Sequence, residues 1–591
     1  MRLRSPREIA DRALQECRNL SLWAVPTGLR MDGVPLVPLS ILPDPQAAAD
    51  WVRGSEMEGE ILALATEIRA HRFPLMGIQV HTEKQIHWRR DYLRGKETGT
   101  QYFRRIPYLD ANLAGDHKII WELNRHQHLV LLAQAFLLSG DLANLMEICD
   151  QLESWFAANP FQRGINWASA LEVAFRALSW IWIYHLVGDR FYLSLREQFL
   201  QQLQWHAHHL EVNLSFYFSP NTHLLGEAVA LHAIGALFPE FTGSRRWREL
   251  GAQVVRRQME VQVRSDGAHF EQSTYYHVYA LDMFRFHALL QATPPAYQAK
   301  LRSMIEFLDA VMGPARRLPF FGDDDGGRLF HPYGRHAEFG RATLATSGIV
   351  RDARDLLPQA LWWLGPSAFD VPARAGIWAS RLFSEIGLAV ITDGDIHIVI
   401  DAGPFGPWSS GHSHSDTLGL TVRIGEEDIL IDPGTYTYVG NPWERDWFRG
   451  SAAHNTIRID GLDQAVPSGP FGWRNQPQVR ILSFTDLAVD AECAYSGFTH
   501  RRQVEYRPTT RRLRIEDTVS GPPGPHLIEQ FWHFGSEAAR ERMILRDRDA
   551  DQIADFPSWA SRALFEKHKA PAVVVTCRAE LPLRLLTEFQ L

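Results

Sequence analysis

The hydrophobic period of this chain changes once along its length, and that change limits the folds open to it. From about residue 117 to 365, apolar residues recur at i, i+3 and i+4, the spacing of helices that bury one face. Segments 128–139, 142–157, 168–187, 192–212, 221–237, 244–263, 273–292 and 295–312 each carry it. The joints between them are short, at Gly140-Asp141, Asn159-Pro160, Gly188-Asp189 and Pro220-Asn221. Short joints make consecutive helices antiparallel neighbours. So many helical hairpins without a strict internal repeat predict an α/α toroid or a helical solenoid. After Phe383 the period falls to two. Residues 387–391 and 396–400 read as strands, with turns at Asp393-Gly394, Asp460-Gly461 and Gly521-Pro522. Helices first and strands second predict an α+β, multidomain chain ending in an antiparallel β-sandwich. Residues 1–110 read as a mixed lead-in packed on the toroid, with Pro-rich joints from Pro35 to Pro45 and a loop-rich stretch over 87–110, residues 111–375 as the helical domain, and residues 376–591 as the sandwich.

Composition narrows the function classes. A chain of 591 residues exceeds one ordinary core, so two or more domains are expected. A net charge of −8 gives no general attraction to nucleic acid or to an anionic membrane. No stretch approaches the roughly 18 apolar residues of a membrane span. Met1 to Glu8 has neither an apolar core nor a cleavage signal, which reads as cytoplasmic, or as periplasmic or secreted if the true start lies upstream. Cys17, Cys149, Cys493 and Cys577 share no metal spacing and read as free thiols in a reducing compartment. Only 6 of the 61 basic residues are lysines. Arginine suits bidentate carboxylate and sulfate recognition, although biased codon usage accounts for most of this excess. The 19 tryptophans suit the floors of sugar clefts or an ordinary helical core.

Gly411-His412-Ser413-His414-Ser415-Asp416 carries the densest chemistry. The alternation in 417–422 reads as a strand, which sets His412 and His414 side by side at i and i+2. A turn at 425–428 returns the chain as a second strand over 429–432 and brings Asp432 back toward them. His454 completes a His/Asp/His set of borderline ligands, His414, Asp432 and His454, which suits zinc. His412 is left as a second imidazole with a pKa near neutrality, fit for acid or base work. The plain alternative is a polar surface pair.

Two helical segments carry polar residues where a core stripe is expected. In the first, Asn221 caps a helix, and His223 and Glu227 share a face at i and i+4, so that Glu227 orients the imidazole. In the second, Tyr276 sits at a helix start. Starts of parallel-facing helices in a toroid converge on one rim, and a tyrosine near cations ionises more readily and serves as a base. The alternatives are a cap with a satisfied surface histidine, and packing.

Taken together, these blocks resemble the heparinase II/III family of polysaccharide lyases. The resemblance runs through Asp116–His126, Gly164–Arg176, Ser219–Leu224 and Tyr276-His277, then through 411–416, Asp432-Pro433-Gly434 and Ala453–Thr456. It implies an N-terminal (α/α) toroid packed on an antiparallel β-sandwich, with a cleft between them. It also implies β-elimination of a uronic-acid glycan. By motif position Asn221 and His223 belong to the cleft, Tyr276 and His412 to proton transfer, and His414, Asp432 and His454 to a structural zinc. Tyr436 lies near the place of an assisting tyrosine. One departure is Thr222, where many members have Asn. Arg125, Arg176 and Arg449 are candidates for sugar carboxylate or sulfate contacts, or for structural ion pairs.

In such a reaction the C5 proton of the uronate is weakly acidic because the adjacent carboxylate is negative. That charge must be neutralised while a base takes the proton and an acid protonates O4. Asn221 and His223 suit the first task, Tyr276 and His412 the second, with syn or anti geometry deciding which of the two is the base. The expected partner is an acidic polysaccharide, with heparan sulfate, hyaluronan, alginate and exopolysaccharide all open, and a homodimer is compatible with the sequence. A glycoside hydrolase needs two carboxylates flanking the bond, and Asp323-Asp324-Asp325 is the only notable acidic cluster. A non-catalytic glycan-binding or exopolysaccharide-assembly protein is the remaining alternative.

Overall fold

A computed structural model describes residues 4–329, 336–370, 373, 376–545 and 551–591. The helical segments read from the sequence form helices Gln127–Ser139, Leu142–Ala158, Ala170–Val187, Leu193–Asn213, Thr222–Leu237, Ser244–Gln262, Thr274–Leu290 and Pro295–Met312. Asp141, Asn221 and Ser273 cap three of them by accepting from backbone N–H groups of the first turn, each cap contributing about 1 kcal/mol. The helices wind as an α/α toroid around one apolar core that includes Trp155, Trp167, Trp180 and Phe199. Helix Ala170–Val187 is apolar all round because it lies in the middle of that core. By length and composition it is apolar enough to cross a membrane, yet its apolar window is entirely buried inside the fold.

The first 110 residues pack on the toroid and are more helical than the mixed reading of them. They contain helices Pro6–Ala24, Pro45–Val52 and Glu56–Arg69. Ala48, Val52, Ile61, Ile68 and Phe73 join the same apolar cluster as the toroid. Helix Pro6–Ala24 escapes a periodicity reading because Asn19 is its only buried residue. It docks by polar contacts, Asn19 Nδ2 donating to Asn213 Oδ1 at 2.8 Å and Gln15 Nε2 to the Val212 carbonyl at 3.0 Å. Its start is Ser5-Pro6, a cap followed by proline in the first turn.

The C-terminal half is built of antiparallel sheets, as expected. A five-stranded sheet runs in order through Arg381–Phe383, Leu388–Asp393, Ile396–Asp401, Leu420–Ile424 and Glu427–Leu430. A six-stranded sheet centres on Ala488–Tyr495, Phe498–Arg507 and Arg512–Ser520, and a four-stranded sheet on Pro525–His533 and Ala572–Glu580. Strand Ala488–Tyr495 alternates buried and half-buried residues, the mark of a sheet with one covered face. Strands Leu388–Asp393 and Ile396–Asp401 are buried on both faces. Period-two geometry explains this. Ile391, Ile398 and Ile400 face the sandwich core, while Leu388, Val390 and Val399 pack against Phe307, Val311 and Phe321 of the helical region. The helix-to-sandwich joint is therefore apolar, and it lies on the opposite face of the sheet from the β-core. Residues 371–372 and 374–375, beside the expected boundary at 375/376, lie outside the described residues, as do Met1 to Leu3.

Candidate active site

A cleft of about 1430 Å³ opens between the toroid and the loops of the β-region, lined on one side by Asn221, His223 and Tyr276 and on the other by His412, Tyr438 and Phe471. Asn221 and Tyr276 stand at helix starts, as the convergence argument requires. The rings of Tyr276 and His412 stack with centroids 3.8 Å apart and planes inclined by 23°. The Tyr276 hydroxyl meets Tyr438 Oη at 3.2 Å and donates to Asp325 Oδ2 at 3.4 Å. Burial first, and then the Asp325 carboxylate, hold the Tyr276 hydroxyl well above its usual pKa. This runs against the expectation of a readily ionised tyrosine, because the Asp325 and Asp323 carboxylates favour the protonated phenol.

His412 is held from two sides. Its Nδ1 lies 3.1 Å from Asp323 Oδ2, and its Nε2 lies 3.6 Å from Glu271 Oε1. Burial opposes its charge, but the two carboxylates outweigh burial and raise its pKa. Glu271 also accepts from Asn221 Nδ2 at 2.6 Å and from the Thr222 backbone N–H at 3.3 Å. It thereby ties the toroid rim to the β-region. Burial raises the Glu271 pKa against the lowering effects of His412 and these donors. His223 faces the cleft with its pKa pushed down to about 4, by burial and then by His412.

Residues 411–416 form a loop, not the expected strand, which starts only at Leu420. The two histidines still converge, because both reach Asp323. The hairpin that follows is real, with strands Leu420–Ile424 and Glu427–Leu430 joined through Gly425-Glu426. Gly322, at φ +69°, lets the Asp323 segment approach: a Cβ there would lie 2.5 Å from the Gln272 carbonyl and 2.6 Å from that of His412.

Behind this loop, His414, Asp416 and His454 present ligand atoms within 4.8 Å of one another. His414 Nδ1, Asp416 Oδ2 and His454 Nε2 are buried and lack any hydrogen-bond partner among the described residues. Three unpaired polar atoms converging on one buried point fit a cation. Asp416 takes the place expected of Asp432. The Asp432 carboxylate instead accepts from His454 Nδ1 at 2.7 Å and from the Gly434 N–H at 2.9 Å. It stands behind His454, in position to orient that imidazole toward a cation.

The sequence comparisons bear on both halves. Residues 44–329 match the family description Heparinase II/III N-terminus, and residues 376–575 match Heparinase II/III-like, C-terminal. The chain belongs to the heparinase II/III family. Curated relatives include a heparin-sulfate lyase of Bacteroides stercoris, 24% identical over 451 residues that cover 69% of this chain and 63% of that protein. Another is a heparin-sulfate lyase of Pedobacter heparinus, 26% identical over 432 residues, covering 69% of this chain and 61% of that protein. The chain thus spans about 60% of the length of these curated relatives. A solved heparinase III superposes with a TM-score of 0.65 at 17% identity, covering 98% of this chain and 88% of that one. The chondroitin AC lyase of Streptomyces coelicolor, solved with chondroitin sulphate, gives 0.55 at 11% identity, covering 98% of this chain and 82% of that one. These likenesses agree on the fold.

Within the heparinase II/III fold, the other expected site residues separate. Arg125 lines the cleft but is spent on a bidentate pair with Glu172, at 2.7 and 2.8 Å, and a contact with Glu122. Arg176 is fully buried away from the cleft, donating to His206 and to the Asn124 and Asn166 carbonyls, and burial pushes its pKa down to about 9. Arg449 is bound to Asp446 and to the carbonyls of Gly469, Pro470 and Gly472. Arg176 and Arg449 therefore hold structure and touch no cleft surface. Glu227 does not orient His223, since both its oxygens accept from Ser215 at 2.7 Å. Tyr436 stacks on Phe448 outside the cleft, and Tyr438, two residues on, takes the place beside Tyr276. Among the described tryptophans, Trp121 and Trp408 line the cleft, while Trp155, Trp167 and Trp180 are core.

Sequence reasoning missed Glu271, Asp323 and Asp325. Asp323-Asp324-Asp325 stood out only as an acidic cluster, and nothing local to it points to a histidine 89 residues away. Asp325 pairs with Lys118 Nζ at 2.9 Å. Although burial opposes this, Lys118 and Arg125 bring the Asp325 pKa down to about 2, which removes it as a general acid.

Proposed function

We propose that this chain is a polysaccharide lyase that cleaves a uronic-acid-containing glycan by β-elimination, leaving a 4,5-unsaturated uronate end. The observation that carries this reading is the Tyr276–His412 stack at the floor of the cleft, beside Asn221 and His223. Asn221 uses one amide N–H on Glu271 and keeps the second for the uronate carboxylate, which draws charge from C5 as the proton leaves. His412 takes the C5 proton on Nε2. The C5–H electron pair becomes the C4=C5 double bond as the C4–O4 bond breaks. Tyr276, held protonated by burial and Asp325, gives its proton to O4. Each transfer contributes roughly 10²–10⁴-fold. Trp408, 52% exposed at the cleft wall, offers a flat face to a sugar ring.

A zinc ion is the proposed occupant of His414, Asp416 and His454, a donor set that zinc accepts. When bound it supplies a fixed positive charge that ties the 411–416 loop to the segment bearing His454. The role is structural, because these atoms lie behind His412 and none of the three residues lines the cleft.

The test is a panel of heparan sulfate, hyaluronan, chondroitin sulfate and alginate, read by the ultraviolet absorbance of the unsaturated uronate. The curated relatives are named heparin-sulfate lyases, which puts heparin and heparan sulfate first. New reducing ends without that absorbance point to a hydrolase. Glycan binding without any cleavage points to a binding protein.

A further inference from the structure

The cleft histidine and the triad histidine share one carboxylate. Asp323 Oδ2 faces His412 Nδ1 at 3.1 Å, and Asp323 Oδ1 faces His414 Nε2 at 2.9 Å. Arg445, on helix Pro442–Phe448, donates to both oxygens from the other side, and Thr435 Oγ1 adds a bond at 3.4 Å. Asp323 has no exposed surface. The permanently charged Arg445 guanidinium, donating to both oxygens, holds Asp323 as a carboxylate. An ionised carboxylate only accepts, so the imidazole nitrogens that face it carry protons. His412 then turns Nε2 to the cleft, where Glu271 lies 3.6 Å away, and His414 leaves the unpaired Nδ1 toward Asp416 and His454.

We infer that Asp323 is a positioning residue that fixes the tautomers of His412 and His414 together. One carboxylate thereby sets both the proton-transfer atom of the cleft and the donor atom of the cation site. The half of this inference that concerns His412 rests on the lyase reading, and the half that concerns His414 does not. The Arg445 fork locks the carboxylate plane, so the two acceptors cannot trade partners.

Asp323→Asn keeps the volume but exchanges one acceptor oxygen for a donor. It can accept from only one of the two histidines. The expected result is a kcat lowered by roughly 10²-fold with KM nearly unchanged. Calorimetry on metal-stripped protein is expected to show zinc affinity falling roughly 10–100-fold. A purely structural role would lower the melting temperature without this kcat-against-KM split. In parallel, long-range 15N–1H spectra of metal-free wild type, assigned with His412→Gln and His414→Gln, should show Nδ1–H on His412 and Nε2–H on His414. The opposite tautomers in wild type overturn the inference even if Asp323→Asn fails to fold. Unchanged kcat and zinc affinity in a folded Asp323→Asn overturn it as well. Wild type inactive on every glycan, but with the expected tautomers and the loss of zinc affinity, refutes the lyase reading and supports the role of Asp323.

Discussion

Glu227→Gln isolates one buried carboxyl. Glu227 is fully buried on helix Thr222–Leu237 and accepts from Ser215 N and Oγ at 2.7 Å each. Burial pushes its pKa up to about 8 from 4.5, against the lowering effect of the Ser215 bonds. A raised carboxyl pKa means that the folded state keeps the proton while the unfolded chain releases it. The stabilisation is complete below about pH 4.5, is lost as pH rises toward 8, and stays lost above that. At about 1.4 kcal/mol per pH unit, wild type loses about 4–5 kcal/mol across that window. On protonation the carboxyl hydrogen donates to Ser215 Oγ in place of the bond the carboxylate accepts from it, and glutamine mimics that form, its Oε1 accepting from Ser215 N and its Nε2 donating to Ser215 Oγ, without titrating. An unfolding entropy of about 2.1 cal/mol/K per residue over 591 residues amounts to about 1.2 kcal/mol/K. The variant should therefore melt near wild type at about pH 5 and about 3–4 °C above it at about pH 9, by calorimetry in matched buffers. Subtracting the two curves cancels every other titrating group. A gap that stays constant with pH, or a variant that melts below wild type at high pH, refutes the assignment of a proton to Glu227.

Tyr276→Phe removes one hydroxyl whose contacts, at 3.2 and 3.4 Å, are long. Stability should change by no more than about 1 kcal/mol, while kcat falls by roughly 10²–10⁴-fold. Steady-state kinetics on the panel substrate checks this, and retained activity would return Tyr276 to packing. His412→Ala should abolish turnover and keep the bound metal, whereas His414→Ala should lose the metal and lower the melting temperature. Elemental analysis of both variants separates the two roles, and the reverse pattern would exchange them. Trp408→Ala should raise KM for long glycans several-fold with kcat held, and equal KM on long and short substrates would remove Trp408 from the binding surface.

The apolar period carried much of the fold. The helices fall within two or three residues of their expected limits, because a buried stripe at 3.6-residue spacing leaves a mark in the sequence itself. Where burial is polar the mark vanishes, as in helix Pro6–Ala24, and the helix was missed. The 411–416 block announced its chemistry through residue type alone. Its conformation was misread because the loop is held by the Ser415 N–H on the Arg449 carbonyl and by Trp473 Nε1 on the Ser413 carbonyl, partners 34 and 60 residues away from them.

The sequence by itself thus determined the class, helices then sheets, and put Tyr276, His412 and His414 on the page as chemically apt residues. Only the tertiary structure decided which groups meet them. Asp323 reaches His412 across 89 residues, Tyr438 reaches Tyr276 across 162, and Glu271 reaches Asn221 across 50. The same packing turned Arg176 and Arg449 from candidate substrate contacts into buried supports. A local pattern encodes which face of an element is buried, because that depends on neighbours a few residues away. It does not encode which distant carboxylate arrives at that face, since this depends on how whole elements dock. Docking is a sum over many small apolar contacts, and no single motif records it.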